Sequence, residues 1–164
     1  MSSNYQKVEW INIPEDLCNK IIAYTDNAYN LATFLKSDDR GNYHQYDAPE
    51  ELKDWCKKNL PIDDSYTIRI QKMFNMDRVE NHVDIVRDSV YNYLLSSTGP
   101  ETRWYNSDGN VIESVIFEQH NWYKLITNVI HSVENISTPR ISVSVFQKNK
   151  VHRIPDWAIG KEKS

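Results

Sequence analysis

A mainly β fold, an antiparallel sandwich or barrel braced by helices on one side, is what this 164-residue sequence predicts. Three observations carry that reading. Helical periodicity is confined to the first third of the chain. From residue 65 onward the texture changes to short alternating runs rich in β-branched and aromatic residues. Turn signals such as "NSDGN" separate those runs, of which there are about eight.

Taken in order, "KVEWINI" (7–13) alternates loosely and reads as an outer strand. Pro14 then opens a helix with Glu15 and Asp16 in its first turn, where acids suit the positive end of the helix dipole. Leu17, Ile21, Ala28, Leu31, Ala32 and Leu35 extend its apolar spacing to about residue 36. "SDDRGNYHQYDAP" reads as a polar loop, and "PEELKDWCKKN" as a second helix with Leu52, Trp55 and Cys56 on one side. "YTIRIQKMF" sets Tyr66, Ile68 and Ile70 against Thr67, Arg69 and Gln71, which is strand alternation. "DSVYNYLLSS", "TRWYN", "VIESVIF", "WYKLITNVI" and "RISVSVFQ" continue in the same manner. The expected organisation is a single domain over 1–164: a mostly helical brace (1–64), a strand core (65–154) and a loose tail (155–164).

Composition narrows the function. Forty per cent apolar and 12% aromatic residues are those of a soluble globular chain. A net charge of -4, without a basic block, argues against a nucleic-acid partner bound by phosphate neutralisation. No apolar run is long enough for a membrane span, and "MSSNYQKVEW" lacks the apolar core of a signal peptide. Cys18 and Cys56, both in helix-like segments, read as buried free thiols. A cytoplasmic location is therefore expected.

The chemistry concentrates in five residues. His82 and Asp84, in "VENHVDIV", are two apart and so share a side of an extended chain. His131 follows 49 positions after His82, at the end of the strand-like run "WYKLITNVIH". Nine residues later "PRISVSVF" puts Arg140 and Ser142 on one face of another strand. Two imidazoles and a carboxylate suit one face of an octahedral Fe(II), leaving three positions open. An arginine fork with a hydroxyl beside it suits a carboxylate. Singly, each residue has a plain alternative: a surface loop for the first pair, a hydrogen-bonded core position for His131, a solvated face for Arg140 and Ser142. Order, spacing and shared side favour the joint reading. His44 and His152 in polar segments and His120 in a turn read as surface or outlying residues.

Here the sequence resembles the Fe(II)- and 2-oxoglutarate-dependent dioxygenases, whose pattern is H-x-D, a distant His, then R-x-S about ten residues on. The resemblance covers roughly residues 65–147 and is most specific in "VIHSVENISTPRISVSV". It implies a double-stranded β-helix, the jelly-roll or cupin-like barrel, with helices bracing one sheet. It implies further that His82, Asp84 and His131 hold Fe(II), and that Arg140 and Ser142 fix the remote carboxylate of 2-oxoglutarate. Gln71, on the face shared by Arg69 and Met73, and Asn92, a polar residue in an apolar strand, are candidate partners for the same co-substrate. Thr127 shares the parity of His131 and is expected to face inward, and Arg103 and Trp104 are candidates for a substrate mouth. Dioxygen would be consumed, a substrate hydroxylated, and succinate and carbon dioxide released.

Substrate identity is not legible. A protein residue or small metabolite is the expected class, with no nucleic acid and no membrane partner, and the oligomeric state is open. Two other readings share the residues. One is a cupin-type metal-binding jelly roll that works without 2-oxoglutarate, as an isomerase or another dioxygenase. The other is a non-enzymatic β-sandwich that binds a partner.

Overall fold

The computed structural model describes residues 3–26, 34–37, 43–74, 76–96, 99–137 and 139–149. Its first part runs β1 (Tyr5–Val8), α1 (Glu15–Asp26), β2 (Phe34–Ser37), β3 (Tyr43–Asp47) and α2 (Glu50–Asn59). Eight strands follow: β4 (Tyr66–Met73), β5 (Val79–His82), β6 (Ser89–Leu94), β7 (Glu101–Tyr105), β8 (Val111–Ile116), β9 (Trp122–Ile126), β10 (His131–Glu134) and β11 (Arg140–Gln147).

The strands form two antiparallel sheets, one ordered β1-β9-β6-β11-β4-β3-β2 and the other β5-β10-β7-β8. Of the eight strands β4 to β11, four lie in each sheet, β4, β6, β9 and β11 in the larger one. This is the expected double-stranded β-helix, a jelly roll. β1 extends one edge of the larger sheet, and β3 with β2 extends the other.

Alternation along β11 explains the layers. Ile141, Val143 and Val145 point to one side and pack with Leu17, Ile21, Leu52 and Cys56 of the two helices. Arg140, Ser142, Ser144 and Phe146 point to the other side, toward the smaller sheet. There Phe146 joins a second core with Val90, Trp104 and Leu125. Both faces of β11 are covered, so its burial is nearly continuous.

Each helix is placed by an apolar stripe. In α2, Leu52 and Cys56 are four apart and both buried, with Glu50 and Glu51 in the first turn and Lys57 and Lys58 in the last. Leu52 is fully buried against the sheet. Leu52→Ala should therefore cost about 2–5 kcal/mol of stability, read as a lower urea midpoint at unchanged slope. An unshifted midpoint would show that α2 does not brace the sheet. Cys18 and Cys56 are buried free thiols, as expected. Burial pushes their pKa values up to about 11 and about 12, which keeps both protonated.

The N-terminal elements differ from expectation in four places. The outer strand is β1, ending at Val8, not a strand over 7–13. The first helix, expected to reach about residue 36, is described over Glu15–Asp26, and Phe34–Ser37 is a strand paired to β3. The supposed polar loop contains β3, whose residues Tyr43 to Asp47 pair along β4. Sheet pairing there overrides a polar composition. His44 is accordingly buried, not surface, with Nδ1 3.2 Å from the Tyr46 hydroxyl. His120 sits exposed in the β8–β9 turn as expected. His152 and the expected tail lie outside the described residues. No helix among the described residues is long and apolar enough to cross a membrane.

Candidate metal centre

β5 ends and β10 begins at one point of the smaller sheet. His82 and His131 are direct partners in the β5–β10 ladder, and their ring centroids are 4.3 Å apart. His131 thus opens a strand, where the sequence suggested that it closes one. Asp84 lies two residues past His82, its backbone N–H donating to the Thr127 carbonyl at 2.8 Å. Thr127 is buried and ties down the same loop, its hydroxyl donating to the Arg87 carbonyl at 3.2 Å.

Both imidazoles are oriented alike. His82 Nδ1 lies 2.7 Å from the Glu80 carbonyl, and His131 Nδ1 lies 2.7 Å from the Val129 carbonyl. A carbonyl only accepts, so each Nδ1 carries a proton and each Nε2 is left for a ligand. His82, Asp84 and His131 each offer one ligand atom, and these atoms lie within 4.8 Å of one another. Ligand atoms about 2.1 Å from a common ion are at most about 4.2 Å apart. Only small side-chain adjustments separate this cluster from a closed site.

Electrostatics favour a cation. Burial raises the Asp84 pKa, but the His82 hydrogen bond and the Arg87 guanidinium outweigh it and hold the carboxyl well below the usual range. Arg87 Nε donates to Asp84 Oδ2 at 2.7 Å, while Oδ1 is 3.5 Å from His82 Nε2. Burial lowers the His131 pKa, so this imidazole is neutral and ready to ligate. Burial also opposes charge on His82, yet the Asp84 hydrogen bond prevails and raises its pKa. That proton must leave before Nε2 can bind a metal.

The interior of the larger sheet supplies the second group of candidates. Arg140 pairs with Met73 in the β11–β4 ladder, and Ser142 pairs with Gln71. Gln45, Gln71, Ser142 and Leu94 form one row across β3, β4, β11 and β6. Arg140 is 5% exposed and Ser142 is 1% exposed. Neither Arg140 Nε nor Ser142 Oγ has a hydrogen-bond partner among the described residues. Arg140 Nη1 donates to the Met73 sulfur at 3.8 Å, a weak acceptor. Burial lowers the Arg140 pKa. A buried guanidinium without an acceptor is costly, and a carboxylate is the group that would satisfy it.

Gln71 is buried on this inward face. Asn92 is inward too, but its Oδ1 accepts from the Ser144 hydroxyl at 2.7 Å, so part of its demand is met within the protein. Trp104 does not line a mouth: it is fully buried, with Nε1 donating to the Ile126 carbonyl at 2.9 Å. Arg103 pairs with Glu101 at 2.8 Å instead. Sequence reasoning passed over Arg87, while it did place Arg69 on the same face as Gln71 and Met73. A cavity of about 360 Å³, lined by residues including Tyr66, Tyr91, Lys124 and Phe146, contains none of His82, Asp84, His131, Arg140 and Ser142.

No known family model matches the chain, and no curated protein matches it. Solved structures do. A prolyl-4-hydroxylase from Pseudomonas putida aligns with TM-score 0.58 at 12% identity, over 89% of this chain and 93% of that one. A 2OG-Fe(II) oxygenase family oxidoreductase from Burkholderia pseudomallei aligns with TM-score 0.57 at 11% identity, over 88% and 84%. Oxalate decarboxylase from Bacillus subtilis is more distant, with TM-score 0.48 at 14% identity over 71% and 29%. At these identities the likeness establishes the fold: a mostly β jelly roll of two antiparallel sheets with two helices among the described residues.

Proposed function

We propose that this protein is a single-domain Fe(II)- and 2-oxoglutarate-dependent oxygenase that hydroxylates a protein residue or a small metabolite. One observation carries the reading: a His/Asp/His cluster lies in the same jelly roll as a buried Arg140 Nε and Ser142 Oγ that have no hydrogen-bond partner among the described residues. Metal ligands alone would fit any cupin-type site. The orphaned Arg140 and Ser142 call for a carboxylate as well. The neighbours' printed names, a prolyl-4-hydroxylase and a 2OG-Fe(II) oxygenase, agree with this reading.

His82, Asp84 and His131 would hold the ion, with Nδ1–H bonds to backbone carbonyls fixing both imidazoles. The Arg140 fork and the Ser142 hydroxyl would bind the remote carboxylate of 2-oxoglutarate, and Gln71 lies beside them on the same row. Bound iron and 2-oxoglutarate together supply dioxygen activation coupled to decarboxylation, with succinate and carbon dioxide as co-products. The chain's own contribution is geometry and exclusion of water by the two packed sheets.

Ser142→Ala removes one hydrogen bond to a charged group without adding bulk. It should cost about 1.5–3 kcal/mol of 2-oxoglutarate affinity. Calorimetric titration of the Mn(II)-loaded protein measures it, and unchanged affinity would take Ser142 out of the site. Succinate release from the wild type tests the reading as a whole. If Fe(II) binds and no 2-oxoglutarate is consumed with any peptide or metabolite pool, the cupin-type alternative is favoured.

A further inference from the structure

Three guanidiniums, Arg69, Arg87 and Arg140, serve the space between the sheets, and among the described residues one carboxylate, Asp84, pairs with any of them. Arg140 lies in the β11 row with Met73, and Arg69 lies on the same face of β4, paired with Ser144. Arg87 comes from the loop after Asp84. Phe146 holds two of them together: the Arg87 guanidinium carbon is 4.7 Å from its ring centroid and that of Arg69 is 5.5 Å away. Arg87 pairs with Asp84, the proposed ligand. Arg69 has no carboxylate within ion-pair distance among the described residues; its hydrogen bond is to the neutral Gln45 Oε1, at 3.1 Å. Asp47, opposite Arg69 in the β3–β4 ladder, is taken by Lys53 at 2.8 Å.

The charges do not balance. A divalent ion and a dianionic 2-oxo acid cancel each other, so a loaded site keeps two positive charges. Burial, and then the neighbouring Arg87, lower the Arg69 pKa, the mark of like charges held close in a poorly solvated place. Contact with one phenyl ring gathers the two guanidiniums, and Arg87 already touches Asp84 of the metal cluster. Arg87 retains 16% side-chain exposure and Arg69 is only half-buried, so both are open to an incoming group.

We infer that the substrate carries an anionic group, a carboxylate or a phosphate, which the Arg69 and Arg87 guanidiniums stacked on Phe146 bind next to the metal. This rests on the oxygenase reading, since the 2-oxo acid is what occupies Arg140. A neutral prolyl or amide substrate would leave Arg69 without a counter-charge. An acidic one supplies two or more acceptors for paired forks.

The test uses the wild type loaded with Mn(II) and saturating 2-oxoglutarate, after the binding of each has been measured separately. Benzoate and phenyl phosphate are titrated beside benzamide and phenol, followed by calorimetry, and the two anions distinguish the carboxylate from the phosphate. The expected result is at least tenfold tighter binding of one anion than of its neutral counterpart, unchanged when 2-oxoglutarate is doubled. Arg69→Gln should remove that preference, and Arg69→Lys should keep part of it. Equal binding of neutral probes, no binding of any anion, or a preference that survives Arg69→Gln would each overturn the inference. A wild type that prefers the anions yet fails to bind 2-oxoglutarate would sink the oxygenase reading and leave the anion site standing.

Discussion

His131→Ala is expected to leave a folded protein that no longer holds one Fe(II) per chain. His131 is the most buried of the three candidate ligands and the only one at the head of a strand in the middle of its sheet. Among the described residues its Nε2 has no near substitute, since His44 and His120 belong to other parts of the fold. Losing an outer partner of a metal ligand typically costs about 10–100-fold in affinity, so losing a ligand itself should exceed that range. His82→Ala should behave alike. Asp84→Ala should weaken binding strongly by removing the charge-neutralising ligand, and it also strands Arg87. Metal content after dialysis, with circular dichroism to confirm folding, reads the result. Wild-type metal content in His131→Ala would mean that the triad is wrong.

Arg140→Ala is expected to raise the apparent constant for 2-oxoglutarate steeply while Fe(II) binding stays nearly intact, because Arg140 is not a ligand. Truncating one partner of a desolvated charged pair costs about 2–5 kcal/mol, or roughly thirtyfold to several-thousandfold in affinity. The full range is open here because Arg140 is almost completely buried and meets no carboxylate among the described residues. Arg140→Lys should recover only part of the loss, since an ammonium lacks the planar fork. An Arg140→Ala protein that binds 2-oxoglutarate as tightly as the wild type would assign the carboxylate to another residue, with Arg69 the next cation on that face.

What was legible in the sequence followed from period-two patterns and from spacing. "RISVSVFQ" sorts Arg140, Ser142 and Ser144 from Ile141, Val143 and Val145, and the structure separates them between two layers in that way. The same logic put Gln71 on the inward face with Arg69 and Met73. The pairing of His82 with His131 is long-range, and nothing local announces it; the H-x-D and R-x-S pattern did. β2 and β3 were not legible as strands because β3 depends on the edge of β4, and β2 on the edge of β3, which their own residues do not specify. Arg87 follows Asp84 by three in an irregular loop, where no period applies, so its ion pair was invisible. Trp104 beside Arg103 suggested a mouth, but neighbours in a strand point to opposite faces, and Trp104 took the core. Asn92 was expected to be paired, with the 2-oxo acid one candidate, and the register of β6 on β11 brings Ser144 to its Oδ1, a contact that no local pattern announces.

The most direct measurement is an anaerobic titration of the Fe(II)-loaded protein with 2-oxoglutarate, followed by visible absorbance from charge transfer between the iron and the chelating 2-oxo acid. The account predicts a band that saturates at one equivalent per chain, is absent in His131→Ala, and needs far more 2-oxoglutarate in Arg140→Ala. Stoichiometric Fe(II) with no such band at any 2-oxoglutarate concentration would contradict it.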